Sequence, residues 1–215
     1  PADVFVVMGT AGSGKTTVSK MLRELTGAVH IWADHERRER FGEPTYTHDE
    51  TVKLYNSLNN KTAKLLADGE SVIYDTNFNF YKDRERLRRT AAEHGARAVV
   101  VWVVTPKDVA RQRAVHEAHK HQTRILGEMP LHYFERTTKN LQPPKPDETV
   151  IQLEGLDLTK EEVAQALQGC QQARRAAQGR QAARQGEELG AARPLQLDDG
   201  LGLGVEPLRR LEGRP

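Results

Sequence analysis

The sequence predicts a parallel α/β sandwich, and three observations lead there. Short runs rich in Val, Ile and aromatics alternate with helical patterns, the βαβα order that builds a parallel sheet flanked by helices. The run AVVVWVV (98–104) is apolar without alternation, as a strand buried on both faces requires. The first apolar run leads directly into GTAGSGKTT (9–17), a glycine-rich turn that opens a helix.

Taken in order, VFVVM (4–8) is the first strand. Val18, Met21, Leu22 and Leu25 then fall at i, i+3, i+4 and i+7, the spacing of one helix face. AVHIWA (28–33) is the second strand, and Tyr55, Leu58, Thr62 and Leu65 mark a second amphipathic helix before the third strand, SVIY (71–74). Leu87 and Ala91 belong to a helix that stops at Gly95, and the fourth strand (98–104) follows. Pro106 opens the next helix, since the first turn tolerates a residue without an N–H. TVIQL (149–153) is the fifth strand. Trp32 and Trp102 lie in strands and are expected in the core. In KDRERLRR (82–89) acids interleave with bases, so a solvated helix face is expected, with a nucleic-acid groove as the second reading.

Near Gln168 the composition changes. From Gln171 onward there is no aromatic and no lysine; 160–190 reads as an exposed helix, and GLGLGVEP as a linker or disordered end. The expected organisation is therefore a domain over 1–170 and a low-complexity tail over 171–215. The chain has 32 basic and 30 acidic residues, and the part up to residue 170 is balanced at 24 of each. Such a body is not held on nucleic acid by bulk charge. A single cysteine, Cys170, rules out an internal disulfide and fits a reducing compartment. No apolar run approaches the ~20 residues of a membrane span. With no secretory leader in view, the expected location is cytoplasmic and no membrane partner is expected.

The chemistry begins at Gly9, Gly14, Lys15 and Thr16, which match G-x-x-x-x-G-K-[ST] between a strand and a helix. Glycines let the backbone curl with its N–H groups inward, and the helix N-terminus favours anions. The whole stretch Gly9, Thr10, Ala11, Gly12, Ser13, Gly14, Lys15, Thr16 and Thr17 is expected to cradle a nucleoside triphosphate. Lys15 would reach the β- and γ-phosphates, and the Thr16 hydroxyl would ligate Mg²⁺. Asp75, closing SVIYD, is expected as a second magnesium-side acid or on the acceptor side, against the alternative of a turn aspartate. In WADHERRER (32–40), Asp34 stands just past the second strand and Arg37 one helical turn on. Ligands of such sheets gather at the carboxyl ends of strands, which lie ~4.8 Å apart. Asp34 there could take the proton of an attacking hydroxyl, and Arg37 could hold an anionic group of the acceptor. The alternative is that Asp34 merely caps a helix of solvated arginines.

GTAGSGKTT, ADHER, YDTNFN with Arg84 in the next helix, and VTPKDVARQR together resemble the 5′-hydroxyl polynucleotide kinases. They also resemble the wider P-loop kinase group that includes zeta toxins and chloramphenicol phosphotransferases. LQPPKPDETVIQLEG adds to the likeness, which runs from residue 3 to about 155. The resemblance implies a P-loop kinase-like three-layer α/β/α sandwich with a five-stranded, mostly parallel sheet in the order 2-3-1-4-5. It implies Asp34 as general base and Arg37 on the acceptor, with Asp75, Thr76 and Asn77 lining the acceptor side. It also implies a lid at about 109–126 whose arginines close on ATP, with Arg113 and Arg124 in that role. Glu117 stands where the polynucleotide kinases carry a second lid arginine, and basic character shifts to His119, Lys120, His121 and Arg124. The histidines there read as surface residues rather than metal ligands. The expected activity is ATP- and Mg²⁺-dependent transfer to a hydroxyl, with an RNA or DNA 5′-hydroxyl end as acceptor. The alternatives are a small-molecule kinase (sugar, antibiotic or nucleotide-sugar) and a nucleotide-binding module with slow ATPase activity or none.

Overall fold

The computed structural model describes residues 1–77, 79–120 and 127–191. Arg124, His121 and the tail from 192 lie outside these residues. The chain divides into two compact units, Pro1–Gln172 and Ala173–Pro215. In the first unit the sheet comprises β1 (Asp3–Met8), β2 (Val29–Trp32), β3 (Val72–Asp75), β4 (Arg97–Val104) and β5 (Val150–Glu154). The order is β2-β3-β1-β4-β5 and every pairing is parallel. The expected fold is therefore the observed one.

Strand geometry sorts the core onto two faces, because successive side chains point oppositely. Val4, Val6 and Met8 of β1 meet Ile31, Tyr74 and Val100 together with Leu54, Leu58 and Leu66 of α3 (His48–Ala67) and Leu87 of α4 (Tyr81–Glu93). On the other face Phe5 and Val7 pack with Ile73, Val99, Val101 and Val103, against Val18 and Leu22 of α1 (Lys15–Thr26). Val163 and Leu167, early in α7 (Lys160–Ala191), cover the same face. The reading of 160–190 as exposed thus fails at its first turns. A third, small cluster joins Ala11 to Ala110, Ala114 and Phe134, fixing the connection after β4 against the phosphate loop.

That connection is α5 (Lys107–Arg111), a π-helical turn Gln112–His116 and a 3₁₀ turn Ala118–Lys120; α6 (Leu131–Asn140) follows. α2 (Ala33–Phe41) and α3 are joined by the short segment 42–47. Thr47 caps α3 by accepting from the Glu50 N–H, in a T-x-x-E arrangement.

The expectation of a solvated face over 82–89 is corrected at Arg84. Its side chain is 1% exposed and forks onto Glu148, Nε to Oε1 at 2.7 Å and NH2 to Oε2 at 3.0 Å. Arg88 likewise reaches Asp147 at 2.7 Å. These pairs tie α4 to the segment that leads into β5.

Candidate active site

Because all five strands run the same way, their carboxyl ends share one rim, with Val7 and Trp32 both in register with Asp75. A cavity of ≈ 630 Å³ opens at that rim. Ala11–Thr17, Asp34, Asp75, Thr76, Asn77 and Arg113 line it, so the chain's first, second and third strand ends meet in one space. Gly9 and Thr10 support the loop from behind: their carbonyls accept from Lys15 Nζ at 3.0 and 2.9 Å. Arg37 does not line the cavity.

The phosphate loop is shaped by close approach. A Cβ on Gly12 would stand 2.1 Å from the Ala110 carbonyl oxygen, and its φ is +78, so the loop seats on α5 only through glycine. α1 begins at Gly14 with no side-chain cap and no acid in its first turn. Its N–H groups and partial positive charge therefore face the cavity mouth uncompensated, beside the Lys15 ammonium, as an anion site needs. Arg113, on the π-helical turn, donates to the Gly12 carbonyl at 3.5 Å and the Gly155 carbonyl at 3.3 Å. Arg113 also lines the cavity, with its guanidinium on the carbonyls of the phosphate loop and of the residue after β5.

Asp75 is 3% exposed, and its Oδ2 meets His30 Nε2 at 2.9 Å. The other oxygen makes no hydrogen bond among the described residues. Asp75 and the Thr16 hydroxyl both line the cavity, and both are hard oxygen donors of the kind magnesium takes. His30 was not singled out in the sequence. It stacks on Trp32 at 5.9 Å, and Trp32 stacks on His35 at 5.7 Å. Trp32 is half-buried and lines the cavity, a correction to its expected place in the core.

On the acceptor side Asp34 sits in the first turn of α2, where Trp32 is the N-cap, so capping does not account for it. Thr76 is held by the Tyr55 hydroxyl of α3. Burial, first, and the nearby Asp34 charge push the Tyr55 phenol above its ordinary pKa, so it stays a neutral hydrogen-bonding group. Arg37 is 6% exposed and ion-paired with Glu50. The Thr45 hydroxyl, with the Thr45 N–H and Arg37, holds the Glu50 carboxyl down to about 2 against the opposing effect of burial. The cavity gains further walls that no motif announced: Tyr46, Gly127–Pro130, His132, Tyr133 and Asp157.

Fold and site together define a P-loop kinase-like protein. The chain belongs to an AAA domain family, whose model matches residues 4–144. Among curated proteins it is 30% identical over 129 residues to a shikimate kinase of Acinetobacter baumannii (strain AYE). That match covers 55% of this chain and 64% of the kinase, so the chain spans less than two thirds of that relative's length. A gluconokinase from Sinorhizobium meliloti 1021 superposes with TM-score 0.60 at 21% identity, over 84% of this chain and 97% of the other. A chain of the Pnkp1/Rnl/Hen1 RNA repair complex superposes with TM-score 0.56 at 20% identity, over 66% of this chain and 44% of that one. At these identities the structural matches speak for the fold. Among the described residues no helix is long and apolar enough to cross a membrane.

Proposed function

We propose that this protein transfers the γ-phosphoryl group of ATP to a hydroxyl of a small molecule. One observation carries the reading: a single cavity holds the uncapped N-terminus of α1 with Lys15 and, opposite in chain origin, the Asp34 carboxylate. The acceptor oxygen attacks the γ-phosphorus, its proton passes to Asp34, and ADP leaves with its charge held by Lys15, the α1 N–H groups and Arg113. Thr16 and Asp75 would hold Mg²⁺, which would neutralise phosphate charge, and His30 holds the Asp75 carboxyl.

A small acceptor is preferred to a nucleic-acid end because the residue meant to receive the strand's phosphate, Arg37, is already engaged by Glu50. The names of the shikimate kinase and gluconokinase support a small hydroxyl acceptor; both named acceptors are carboxylates, so the charge of this chain's acceptor has to be read from its own residues. The RNA repair likeness keeps the 5′-hydroxyl end as the second candidate.

The test is incubation with γ-labelled ATP and a panel of small alcohols, sugars and 5′-hydroxyl oligonucleotides. Asp34→Asn keeps the side-chain shape and removes the proton acceptor. Transfer should fall by about 10²–10⁴ with ATP affinity little changed. Equal rates for both proteins would remove Asp34 as base, and a protein that labels nothing would be a nucleotide-binding module.

A further inference from the structure

The segment between α2 and α3 places one aromatic residue in an unusual backbone state. Tyr46 has φ 55, the left-handed region that residues with a side chain rarely occupy. Tyr46 is 49% exposed, yet it lines the cavity that Asp34 also lines. Beneath the ring the Arg37 guanidinium lies 4.9 Å from the centroid. Arg37 donates to Glu50 Oε1 and, at 3.4 Å, to the Thr51 hydroxyl. The second Glu50 oxygen accepts from both the N–H and the hydroxyl of Thr45 at 2.7 Å. One buried carboxylate therefore joins the cation under Tyr46 to the residue just before it. Strained conformations persist where the surroundings over-determine them, and they cluster at ligand sites.

We propose that Arg37 and Glu50 form a latch holding Tyr46 as the platform for the acceptor, and that this acceptor is an uncharged, polyhydroxylated ring of the sugar type. The inference rests on the phosphotransferase reading above. The latch leaves Arg37 neutralised, so an acceptor phosphate or carboxylate would have to displace a buried, hydrogen-bonded anion. Asp34, Thr76 and Asn77 line the same cavity as Tyr46 and suit hydroxyl donors, and the Asp34 carboxylate opposes an anionic acceptor. The lining cations among the described residues, Lys15 and Arg113, contact the phosphate loop instead. A flat aromatic face beside hydrogen-bond acceptors matches the C–H face and the hydroxyl rim of a sugar ring.

The test uses the full chain loaded with Mg²⁺ and ADP, and D-glucose, D-xylose, myo-inositol, D-gluconate and adenosine 3′-monophosphate as probes. Saturation-transfer NMR reads binding, and γ-labelled ATP in a parallel assay reads transfer. Neutral rings should bind and be phosphorylated. Tyr46→Ala should raise their KM at least tenfold with kcat and ATP affinity nearly kept, whereas Tyr46→Phe should stay close to wild type. Arg37→Ala should copy Tyr46→Ala. Tyr46→Gly relieves the strain and removes the ring, so it should melt no lower than wild type while losing the probe. Preference for gluconate or the 3′-phosphate compound, abolished by Arg37→Ala, would overturn the inference and leave the phosphotransferase reading standing. Binding of neutral rings that depends on Tyr46, with no label transferred to anything, would keep the Tyr46 platform as a sugar site and overturn the phosphotransferase reading, and the acceptor role with it. Binding of none of the neutral rings also overturns the inference.

Discussion

Arg84→Ala should be one of the most damaging substitutions in the first unit, although it lies in a stretch that looks solvated. The two side chains are 1% and 3% exposed and meet through two hydrogen bonds of 2.7 and 3.0 Å. Deleting the guanidinium strands the Glu148 carboxylate in the interior. Removing one partner of a buried pair costs about 3–5 kcal/mol. The Lys145 N–H, which also donates to Glu148 at 2.8 Å, remains in place and argues for the lower half of that range. In a domain of this size each kcal/mol moves the melting temperature by about 2–4 °C, so a drop of roughly 6–16 °C is expected. Urea unfolding, analysed by linear extrapolation, and a thermal scan would measure it. Arg84→Met combined with Glu148→Leu should recover most of the loss, because neither charge is then buried alone. A loss under about 1 kcal/mol for Arg84→Ala would refute the reasoning, since that is the size of an exposed ion pair.

Two further outcomes are expected. Lys15→Ala should abolish phosphoryl transfer while the circular dichroism spectrum stays native; near-normal turnover would remove the phosphate loop from the mechanism. Glu50→Gln tests the latch by pH. Glu50 is depressed in the folded state to about 2 from 4.5, so its contribution is complete above about pH 4.5 and lost as the pH falls through about 2. Wild type should therefore lose stability across that window more steeply than Glu50→Gln, and parallel acid-unfolding curves would show the carboxylate to be unlatched.

The sheet and its phosphate loop were legible because their signals are local: apolar runs with no alternation, and a glycine motif in its required context. Asp34 and Asp75 were legible because strand ends in such a sheet share a rim. The rest depends on contacts between distant positions. Arg84 and Glu148 are separated by 64 residues, and each taken alone has the pattern of a surface charge. His30 finds Asp75 only once β2 lies beside β3. Tyr46 has no local signature at all, since a tyrosine at φ 55 violates the backbone preference that sequence reading relies on. Arg37 was expected to contact the acceptor, but its partner Glu50, thirteen positions on, engages it in the interior and it does not line the cavity.

Gly155 carries a consequence for the order in which this protein acquires its site. A Cβ there would stand 2.3 Å from the Ser13 carbonyl and 2.0 Å from the Thr105 hydroxyl, so the residue after β5 is pressed against the phosphate loop near the chain's start. Its carbonyl also accepts from Arg113. The glycine lysine motif is made before the fifth strand, and its cradle is braced by a residue made 140 positions later than Lys15. Parallel strands joined by long crossovers gain their contacts late, after loop closure has been met. A nascent or truncated chain that stops before residue 155 therefore carries the whole nucleotide signature and lacks the support that shapes it. Tight ATP binding is therefore expected only from a chain that extends past Gly155, and reports completion of the sheet rather than the presence of the motif.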